Sequence, residues 1–430
     1  MSSSRFEPAG PLRGGLRPPS DKSISHRAAL IAAMGEGETR IEGYLDAADT
    51  RSTLAAVAAL GVGVEAGPEL GRALTVAGVG LRGPRPAAID VGNAGTLLRL
   101  LPGWLAGQEA GEWTLDGDDS IRRRPVDRVA LPLREMGADV EAREGMPPLT
   151  VRGAALRGID YEMPIASAQV KSCLLFAGLL AAGSTRIAEG HPSRDHTERM
   201  LAAAGAPIER AGGAVVVRPA ERLEPRRIDV PADISSAAFF VVAAALVPGS
   251  EVVLEGVGVN PTRTGILAIL ERMGASIEVE PEGEHGGEPV ARLRVRPSPL
   301  RATDVGGAEV PLAIDELPLV ALAACFAEGT TTIRDAAELR RKESDRVETV
   351  AAALRALGGA VEPTADGLVI TGTGGLRGGI VRSHGDHRIA MLGAVAGLAA
   401  ADGVEVEGMD AAAVSYPRFE ADLRSLLGGG

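Results

Sequence analysis

Three lysines stand out among the residues of this chain that are able to do chemistry. Of its 45 basic residues, only Lys22, Lys171 and Lys342 are lysine, and the others are arginine. Each lies in a polar cluster at a predicted helix start or just inside the helix. A lysine carries a compact charge, and its proton can be transferred, whereas arginine stays charged. These lysines are therefore candidates for catalysis or close ion contacts, with chance retention as the alternative.

The first lysine lies in the segment PPSDKSISHRAAL, beside His26 and Arg27 at the start of a predicted Ala/Leu helix. A helix N-terminus already carries a partial positive charge, which makes cations there unfavourable. We therefore expect an anionic ligand at this helix end, because its charge would offset Lys22 and Arg27.

Two acidic residues are candidates for proton transfer. Glu343 lies in RRKESDR, where helical spacing would place Lys342 and Arg346 on one face at i, i+4. Asp315, in PLAIDELP, is predicted to follow directly after an apolar strand, where a charge needs a reason. For RRKESDR alone, a solvated charged face is the ordinary alternative.

Two further segments add cations. SIRRRPVDR has three arginines before a proline, and SHGDHRIAM places His387 and Arg388 at the head of another apolar helix. A solvated turn and structural ion pairs are the respective alternatives. Taken together, the clusters fit a pair of substrates with several phosphates or carboxylates.

A six-fold repeat positions these clusters. Six segments share a polar cluster, an Ala/Leu helix, a turn and a short strand that ends near glycine or an acidic residue. A second helix and short β-prone pieces follow five of them, and the last has a shorter version of that helix, which predicts strand–helix–strand–helix–strand–strand units. Six units over 430 residues indicate an α/β fold with two domains of three units each. Parallel helices would bring their N-termini together as an anion-binding cleft, although simple capping is the alternative.

Composition excludes several classes of protein. The net charge of −12 argues against a nucleic-acid partner, and no apolar run reaches the roughly 18 residues of a membrane span. The N-terminus has no signal-peptide core, so we expect a cytoplasmic protein. Cys173 and Cys325 lie in apolar runs and are expected to be buried. His and Cys spacing indicates no metal site.

The motifs DKSISHR, GNAGT, RRRP, SAQ, IDELP, RRKESDR and DHRIAM, in this order, resemble those of the 5-enolpyruvylshikimate-3-phosphate synthase family. The resemblance runs from about Leu16 to Tyr416. It implies a two-domain inside-out α/β barrel of six βαβαββ repeats. The domains would be 18–233, which is continuous, and 1–17 plus 234–430, with the active site in the inter-domain cleft.

The resemblance implies transfer of the enolpyruvyl group of phosphoenolpyruvate to the 5-hydroxyl of shikimate 3-phosphate, with release of phosphate. It implies these two small molecules as partners, no metal or other cofactor, and a monomer. The implied ligands of shikimate 3-phosphate are Lys22, Ser23, Arg27, Ser167, Ala168, Gln169, Arg194, Asp315 and Lys342. The implied ligands of phosphoenolpyruvate are Lys22, Gly95, Arg124, Gln169, Arg346 and Arg388.

Catalytic roles follow from the same resemblance. Asp315 is the expected base for the attacking hydroxyl, and Glu343 and Lys22 are the candidates for moving the proton of the methylene carbon. Val414 stands where many members have a lysine, which puts a C-terminal phosphate contact in doubt. A Cβ at Gly95 would intrude beside phosphoenolpyruvate, so we expect inhibition by glyphosate, and relief of that inhibition by Gly95→Ala.

Two other functions are alternatives. UDP-N-acetylglucosamine enolpyruvyl transferase shares the expected fold, but that family usually has a reactive loop cysteine and a Lys-Asn pair at the first helix. This chain has Lys22–Ser23 there. A non-catalytic protein that binds phosphorylated metabolites would use the same helix ends without needing Asp315 or Glu343.

Overall fold

The computed structural model describes residues 2–67 and 73–428. The chain forms two compact units. The central unit comprises Ser20–Pro231 and Glu284–Glu288, and the discontinuous unit comprises Met1–Pro19, Ala232–Gly283 and Pro289–Gly430. No helix in the described part of the chain is long and apolar enough to cross a membrane.

The elements are as follows, in chain order. The discontinuous unit begins with β1 (Ser3–Phe6) and β2 (Arg13–Leu16). The central unit contains α1 (Lys22–Met34), β3 (Glu36–Glu42), α2 (Ala48–Ala59), β4 (Gly63–Ala66), β5 (Ala73–Val79), β6 (Ala87–Asp90), α3 (Gly95–Ala106), β7 (Glu112–Asp116), α4 (Asp127–Glu135), β8 (Asp139–Arg143), β9 (Met146–Arg152), β10 (Asp160–Met163), α5 (Ala168–Gly178), β11 (Thr185–Glu189), α6 (His196–Ala203), β12 (Ile208–Ala211), β13 (Ala214–Val217) and β14 (Arg227–Asp229). The discontinuous unit resumes with α7 (Ile234–Leu246), β15 (Glu251–Gly258), α8 (Gly265–Arg272), β16 (Ser276–His285), β17 (Glu288–Arg296), β18 (Asp304–Val305), α9 (Val310–Ala313), α10 (Leu317–Phe326), β19 (Thr330–Ile333), α11 (Arg346–Ala356), β20 (Ala360–Pro363), β21 (Leu368–Thr371), β22 (Gly379–Arg382), α12 (His387–Ala399), β23 (Val404–Glu407) and α13 (Phe419–Ser425).

The strands in the described part of the chain form six small sheets. Those of the central unit have the orders β14-β3-β5-β4, β6-β7-β9-β8 and β10-β11-β13-β12. Those of the discontinuous unit have the orders β2-β15-β17-β16, β18-β19-β21-β20 and β22-β23-β1. The first pair in each order is parallel, and the next pair is antiparallel. The predicted α/β fold class is therefore confirmed, with three sheets in each unit.

The first helix of each repeat is buried on nearly all sides. In α3 and α5 this burial depends on small residues, because a Cβ at Gly103 would lie 2.0 Å from the carbonyl oxygen of Cys173. Cys173 and Cys325 are both buried, as predicted, and burial raises the pKa of each thiol. Neither sulfur is therefore a ready nucleophile.

Two local predictions were wrong. Asp315 does not follow a strand, because the chain before it forms the short helix α9, and Asp315 lies between α9 and α10. Lys342 and Arg346 do not share a helix face. Residues Ala337–Arg341 form a 3₁₀ turn, Lys342 has extended backbone, and α11 begins only at Arg346, because Asp345 caps it.

Candidate active site

At the start of α1, Asp21 and Asp49 set the arrangement of the polar residues. The Asp21 carboxylate accepts a hydrogen bond from the backbone N–H of Ile24 at 2.8 Å and so caps the helix. Lys22 is the first residue of α1, and its Nζ lies 3.0 Å from Asp49 Oδ2. The Lys22 side chain is 20% exposed. The lysine is thus held by a buried carboxylate while part of it still reaches the surface of the central unit.

Arg27 is buried one turn further along α1. Its Nε donates to Thr197 Oγ1 at 2.7 Å and its Nη2 to Ser172 Oγ at 3.0 Å. Its Nη1 donates to the Ser23 carbonyl at 2.9 Å. The two hydroxyls also lie 2.6 Å from each other. Thr197 and Ser172 were not predicted from the sequence, although both stand in the polar clusters that open α6 and α5.

His26 cannot contribute a charge to this helix end at neutral pH. It is fully buried, and its Nδ1 lies 2.6 Å from Thr53 Oγ1. Burial lowers its pKa to about 3. The imidazole is therefore neutral. Within α1, the cations near the start of the helix are Lys22 and Arg27.

The start of α5 places three further predicted residues. Ser167 caps the helix, and Ala168 and Gln169 form its first turn. Gln169 Nε2 donates to Thr96 Oγ1 at 3.2 Å, which links this turn to α3. Arg194, in the turn before α6, has its Nη1 3.5 Å from Ser23 Oγ. The starts of α1, α3 and α5 and the turn before α6 thus carry one group of predicted residues.

Gly95 begins α3 next to two arginines. A Cβ at this position would lie 2.8 Å from Arg124 Nη1 and 3.1 Å from Arg99 Nη1. Arg124 Nη2 donates to Asn93 Oδ1 at 3.1 Å and to Ser120 Oγ at 3.3 Å. A side chain at Gly95 would therefore displace the Arg124 guanidinium. Sequence reasoning missed Arg99, which looks like an ordinary residue within an apolar helix.

The remaining predicted residues lie in the discontinuous unit around Arg346. The Arg346 side chain is 1% exposed and contacts three carboxylates: Asp386 at 2.9 Å, Glu343 at 2.5 Å and Asp315 at 3.3 Å. Lys342 Nζ lies 3.2 Å from the same Asp315 oxygen. Asp315 Oδ1 is thus shared between a lysine and an arginine.

These contacts determine the protonation states of Arg346 and Asp386, which form a buried ion pair. Burial disfavours the charged form of Arg346, but Asp386, Glu343 and Asp315 outweigh it, and its pKa is raised above the usual value. Burial likewise opposes the charge of Asp386, but the nearby Arg346 lowers the pKa of that carboxyl. Both groups are therefore ionised at neutral pH.

Arg388 lies at the start of α12 and joins this group. Its Nη1 donates to the Asp315 carbonyl at 3.1 Å and lies 3.6 Å from Glu316 Oε1. Glu316 is fully buried and accepts a hydrogen bond from Ser235, which in turn accepts one from Arg263 at 2.6 Å. The Glu316–Ser235–Arg263 chain was not predicted from the sequence, and Asp233 caps α7 beside it.

Among the described residues, one group could offer three ligands to a metal ion: Asp195, His196 and Glu288, all of them buried. Asp195 Oδ2 accepts hydrogen bonds from Arg199 and Arg210. His196 Nδ1 lies 2.8 Å from Glu288 Oε1. Two arginines at one carboxylate compete with a cation for it, so this group suits ion pairing within the protein better than metal binding.

Comparison with known proteins identifies the family. A protein-family model matches residues 6–423. It describes EPSP synthase (3-phosphoshikimate 1-carboxyvinyltransferase), where EPSP is 5-enolpyruvylshikimate 3-phosphate. The chain belongs to the EPSP synthase family. This finding confirms the resemblance that the ordered motifs indicated.

Individual relatives are similar to this chain along nearly its whole length. The 3-phosphoshikimate 1-carboxyvinyltransferase of Alkalilimnicola ehrlichii is 53% identical over 416 residues, which cover 96% of this chain and 93% of the relative. That of a Synechococcus species is 50% identical and covers 99% of both chains. The solved EPSP synthase of Acinetobacter baumannii is 42% identical, with a TM-score of 0.88 over 100% of this chain and 98% of that one.

Proposed function

We propose that this protein transfers the enolpyruvyl group of phosphoenolpyruvate to the 5-hydroxyl of shikimate 3-phosphate and releases phosphate. It is a transferase of the shikimate pathway, which serves aromatic amino-acid biosynthesis. The observation that carries the mechanism is the position of Asp315, a carboxylate within 3.3 Å of both Lys342 and Arg346. The carboxylate can accept the proton of a hydroxyl, and the two cations beside it can hold anionic groups of the substrates.

The central unit supplies most of the proposed subsite for shikimate 3-phosphate. Ser23, Arg27 and Arg194 meet through the hydrogen bonds of Arg27 to Ser23 and of Arg194 to Ser23, and Lys22 precedes Ser23 at the start of α1. Backbone N–H groups at the start of α5, at Ser167, Ala168 and Gln169, would add donors for the phosphate oxygens. Asp315 and Lys342 would complete this subsite from the discontinuous unit.

Phosphoenolpyruvate would be held mainly by arginines. Arg124 lies beside Gly95, where the absent Cβ lets the guanidinium lie against the start of α3 and face a small anion there. Arg346 and Arg388 are fixed by carboxylates and by the Asp315 carbonyl. Lys22 and Gln169 would contribute to both substrates. We propose that the residues of the two units act on one pair of substrates in an inter-domain cleft.

The reaction would proceed by addition and elimination. Asp315 would accept the proton of the 5-hydroxyl as its oxygen bonds to C2 of phosphoenolpyruvate, while Glu343 or Lys22 gives a proton to the methylene carbon. Protonation of that carbon creates positive charge at C2, which a nearby carboxylate such as Glu343 stabilises. The group that gave this proton would then take a proton back from the methyl carbon as the bond from C2 to the phosphate oxygen breaks, and Asp315 would return its proton to the departing phosphate or to water. The arginines would stabilise the departing phosphate.

Release of inorganic phosphate tests this proposal. The purified chain should release phosphate when both substrates are present, and it should release none when shikimate 3-phosphate is omitted. Replacement of shikimate 3-phosphate by UDP-N-acetylglucosamine tests the alternative enolpyruvyl transfer. Binding of both substrates without phosphate release would instead support the non-catalytic alternative. The assay should not need a divalent cation, because side chains supply all the positive charge that the proposed reaction uses to hold its phosphates.

Two further properties belong to the proposal. We propose that the protein acts as a monomer in the cytoplasm. Sedimentation at assay concentrations would test the first point, and fractionation of cells that express the chain would test the second.

A further inference from the structure

Lys171 is the lysine that the proposed reaction does not use. It lies in the first turn of α5 and is 1% exposed. Its Nζ donates to Glu189 Oε1 at 2.8 Å and to the Ser193 carbonyl at 3.3 Å. It also lies 2.8 Å from Glu198 Oε1. The ammonium group therefore joins the end of β11, the turn before α6, and α6 itself.

Glu189 also binds Ser193, through the backbone N–H and the hydroxyl of that residue. Its Oε1 accepts the Ser193 backbone N–H at 3.0 Å, and its Oε2 accepts the Ser193 hydroxyl at 2.6 Å. The N–H, the hydroxyl and the carbonyl of one residue are thus all bound by the Lys171–Glu189 pair. We call Lys171, Glu189 and Ser193 the clamp.

The clamp acts on the residue before Arg194. On the other side, Asp195 is 2% exposed and accepts hydrogen bonds from Arg199 at 3.0 Å and from Arg210. Arg194 is therefore half-buried between two buried, anchored neighbours. Its backbone cannot move without breaking buried charge-assisted hydrogen bonds, which are among the stronger polar contacts in proteins.

We propose that Lys171 and Glu189 are positioning residues that fix Arg194 for binding of shikimate 3-phosphate. This inference rests on the proposed function, in which Arg194 binds the phosphate or hydroxyl groups of that substrate. Lys171 and Glu189 act through the backbone of Ser193 and touch neither substrate. Phosphoenolpyruvate, which depends on other arginines, is not affected by the clamp.

The geometry also explains why lysine persists here in a chain that otherwise uses arginine. Three oxygens lie within 3.3 Å of one nitrogen atom: those of Glu189 and Ser193 accept hydrogen bonds, and that of Glu198 forms an ion pair. An ammonium group presents three donors from a single centre, whereas a guanidinium presents its donors in a flat fork. Arginine keeps the charge but does not fit this arrangement, so it would shift the turn that carries Arg194.

Steady-state kinetics of Lys171→Arg and Ser193→Ala test the proposal. We expect Lys171→Arg to raise the KM for shikimate 3-phosphate about tenfold, as loss of one charge-assisted hydrogen bond would do. Ser193→Ala keeps the backbone contacts and should raise the same KM less. The KM for phosphoenolpyruvate should stay unchanged in both. An equal rise in both KM values would overturn the proposal, since it would mean general loosening of the unit.

Ile187→Val is the matched control. Ile187 is buried in β11, two positions before Glu189, and its truncation removes a core methylene without touching the clamp. Thermal unfolding should show a similar small loss of stability for this variant and for Ser193→Ala. Only the clamp variants should show a changed KM for shikimate 3-phosphate. If Ile187→Val changes that KM as much as they do, the effect is one of stability alone and the proposal fails.

A double-mutant cycle with Arg194→Ala decides whether the clamp acts through Arg194. Lys171→Arg should add no further rise in KM when Arg194 is already absent. A full additional tenfold rise would contradict the proposal. Calorimetric titration of the wild-type protein with shikimate 3-phosphate separates the two levels of inference. Absence of binding and turnover in the wild type would refute the proposed function, whereas an active wild type with a kinetically identical Lys171→Arg variant would refute the clamp.

Discussion

Arg27 in the central unit and Arg346 in the discontinuous unit are both buried near the start of a helix, but their contacts differ in charge. Arg27 donates to the hydroxyls of Thr197 and Ser172 and to a carbonyl. Arg346 contacts the carboxylates of Asp386, Glu343 and Asp315. Neutral partners orient a guanidinium without cancelling its charge, whereas three carboxylates more than balance it.

The difference indicates a division of labour. Hydroxyl contacts suit an arginine whose charge is to meet an anionic substrate. Carboxylate contacts suit an arginine that orders acidic groups for proton transfer. Lys22 is intermediate between the two arginines in the charge of its partner, because it pairs with one carboxylate, that of Asp49. The comparison therefore predicts different consequences when each arginine is removed.

The largest expected effect is that of Arg346→Met. Removal of the guanidinium leaves Asp386 buried without its main partner, together with Glu343 and Asp315. Loss of one partner from a buried ion pair typically costs about 3–5 kcal/mol of unfolding free energy. Urea denaturation should show this loss. The matched variant Arg27→Met should lose affinity for shikimate 3-phosphate but much less stability, and equal destabilisation of the two would break the comparison.

Asp315→Asn should mainly affect turnover. The amide cannot accept the hydroxyl proton, and loss of a general base typically lowers kcat by about 10²- to 10⁴-fold. Stopped-flow measurement of phosphate release should show the fall in a single turnover, with both substrates still bound. Retention of more than a tenth of the wild-type rate would remove Asp315 from the role of base.

His26 gives a prediction about pH in the central unit. Its pKa is about 3 in the folded protein, below the ordinary value of 6.5, because burial disfavours the charged form. The unfolded chain therefore binds a proton that the folded chain does not, and stability falls as pH drops from about 6.5 towards 3. Between pH 7.5 and 4.5 this costs about 3 kcal/mol of unfolding free energy. Urea denaturation at both pH values should show that the unfolding free energy of His26→Gln changes less with pH than that of the wild type, by the amount due to His26. An identical change in both proteins would contradict the lowered pKa of His26.

Gly95→Ala has the smallest expected effect. The added Cβ would lie 2.8 Å from Arg124 Nη1, so the guanidinium must shift. We expect the KM for phosphoenolpyruvate to rise about tenfold, the equivalent of about 1.4 kcal/mol. Glyphosate should inhibit the variant less than the wild type. An unchanged KM and an unchanged inhibition constant would show that Arg124 accommodates the methyl group.

Much of this arrangement was predictable because helix starts leave local signals. The polar clusters at Lys22, Gln169 and Arg388 marked the beginnings of α1, α5 and α12, and the six-fold repeat indicated the fold class. The pairing of Lys342 and Arg346 through Asp315 was not predictable. Helical periodicity describes neighbours within one helix, whereas this contact depends on how α10 and α11 pack.

The missed residues have two different physical causes. Thr197 contacts Arg27 across 170 positions of sequence, which helical periodicity does not describe. Arg99 lies one helical turn after Gly95 in α3, so its position was predictable but its contact with the start of the helix was overlooked. Nothing in the residue types of Ser172 or Thr197 separates a helix-capping hydroxyl from one that holds an arginine. Lys171 did carry a signal, its rarity, but only the tertiary contacts show which residue it serves.

The strand order has a consequence for synthesis of the chain. β1 pairs with β23, so Ser3–Phe6 must wait for Val404–Glu407 before their hydrogen bonds can form. β14 closes its sheet against β3 much earlier, at Arg227–Asp229. Contacts of long sequence separation form slowly, and domains tend to fold as units during translation. On the ribosome, the sheets of the central unit can therefore be complete while the first strand of the protein still has no partner.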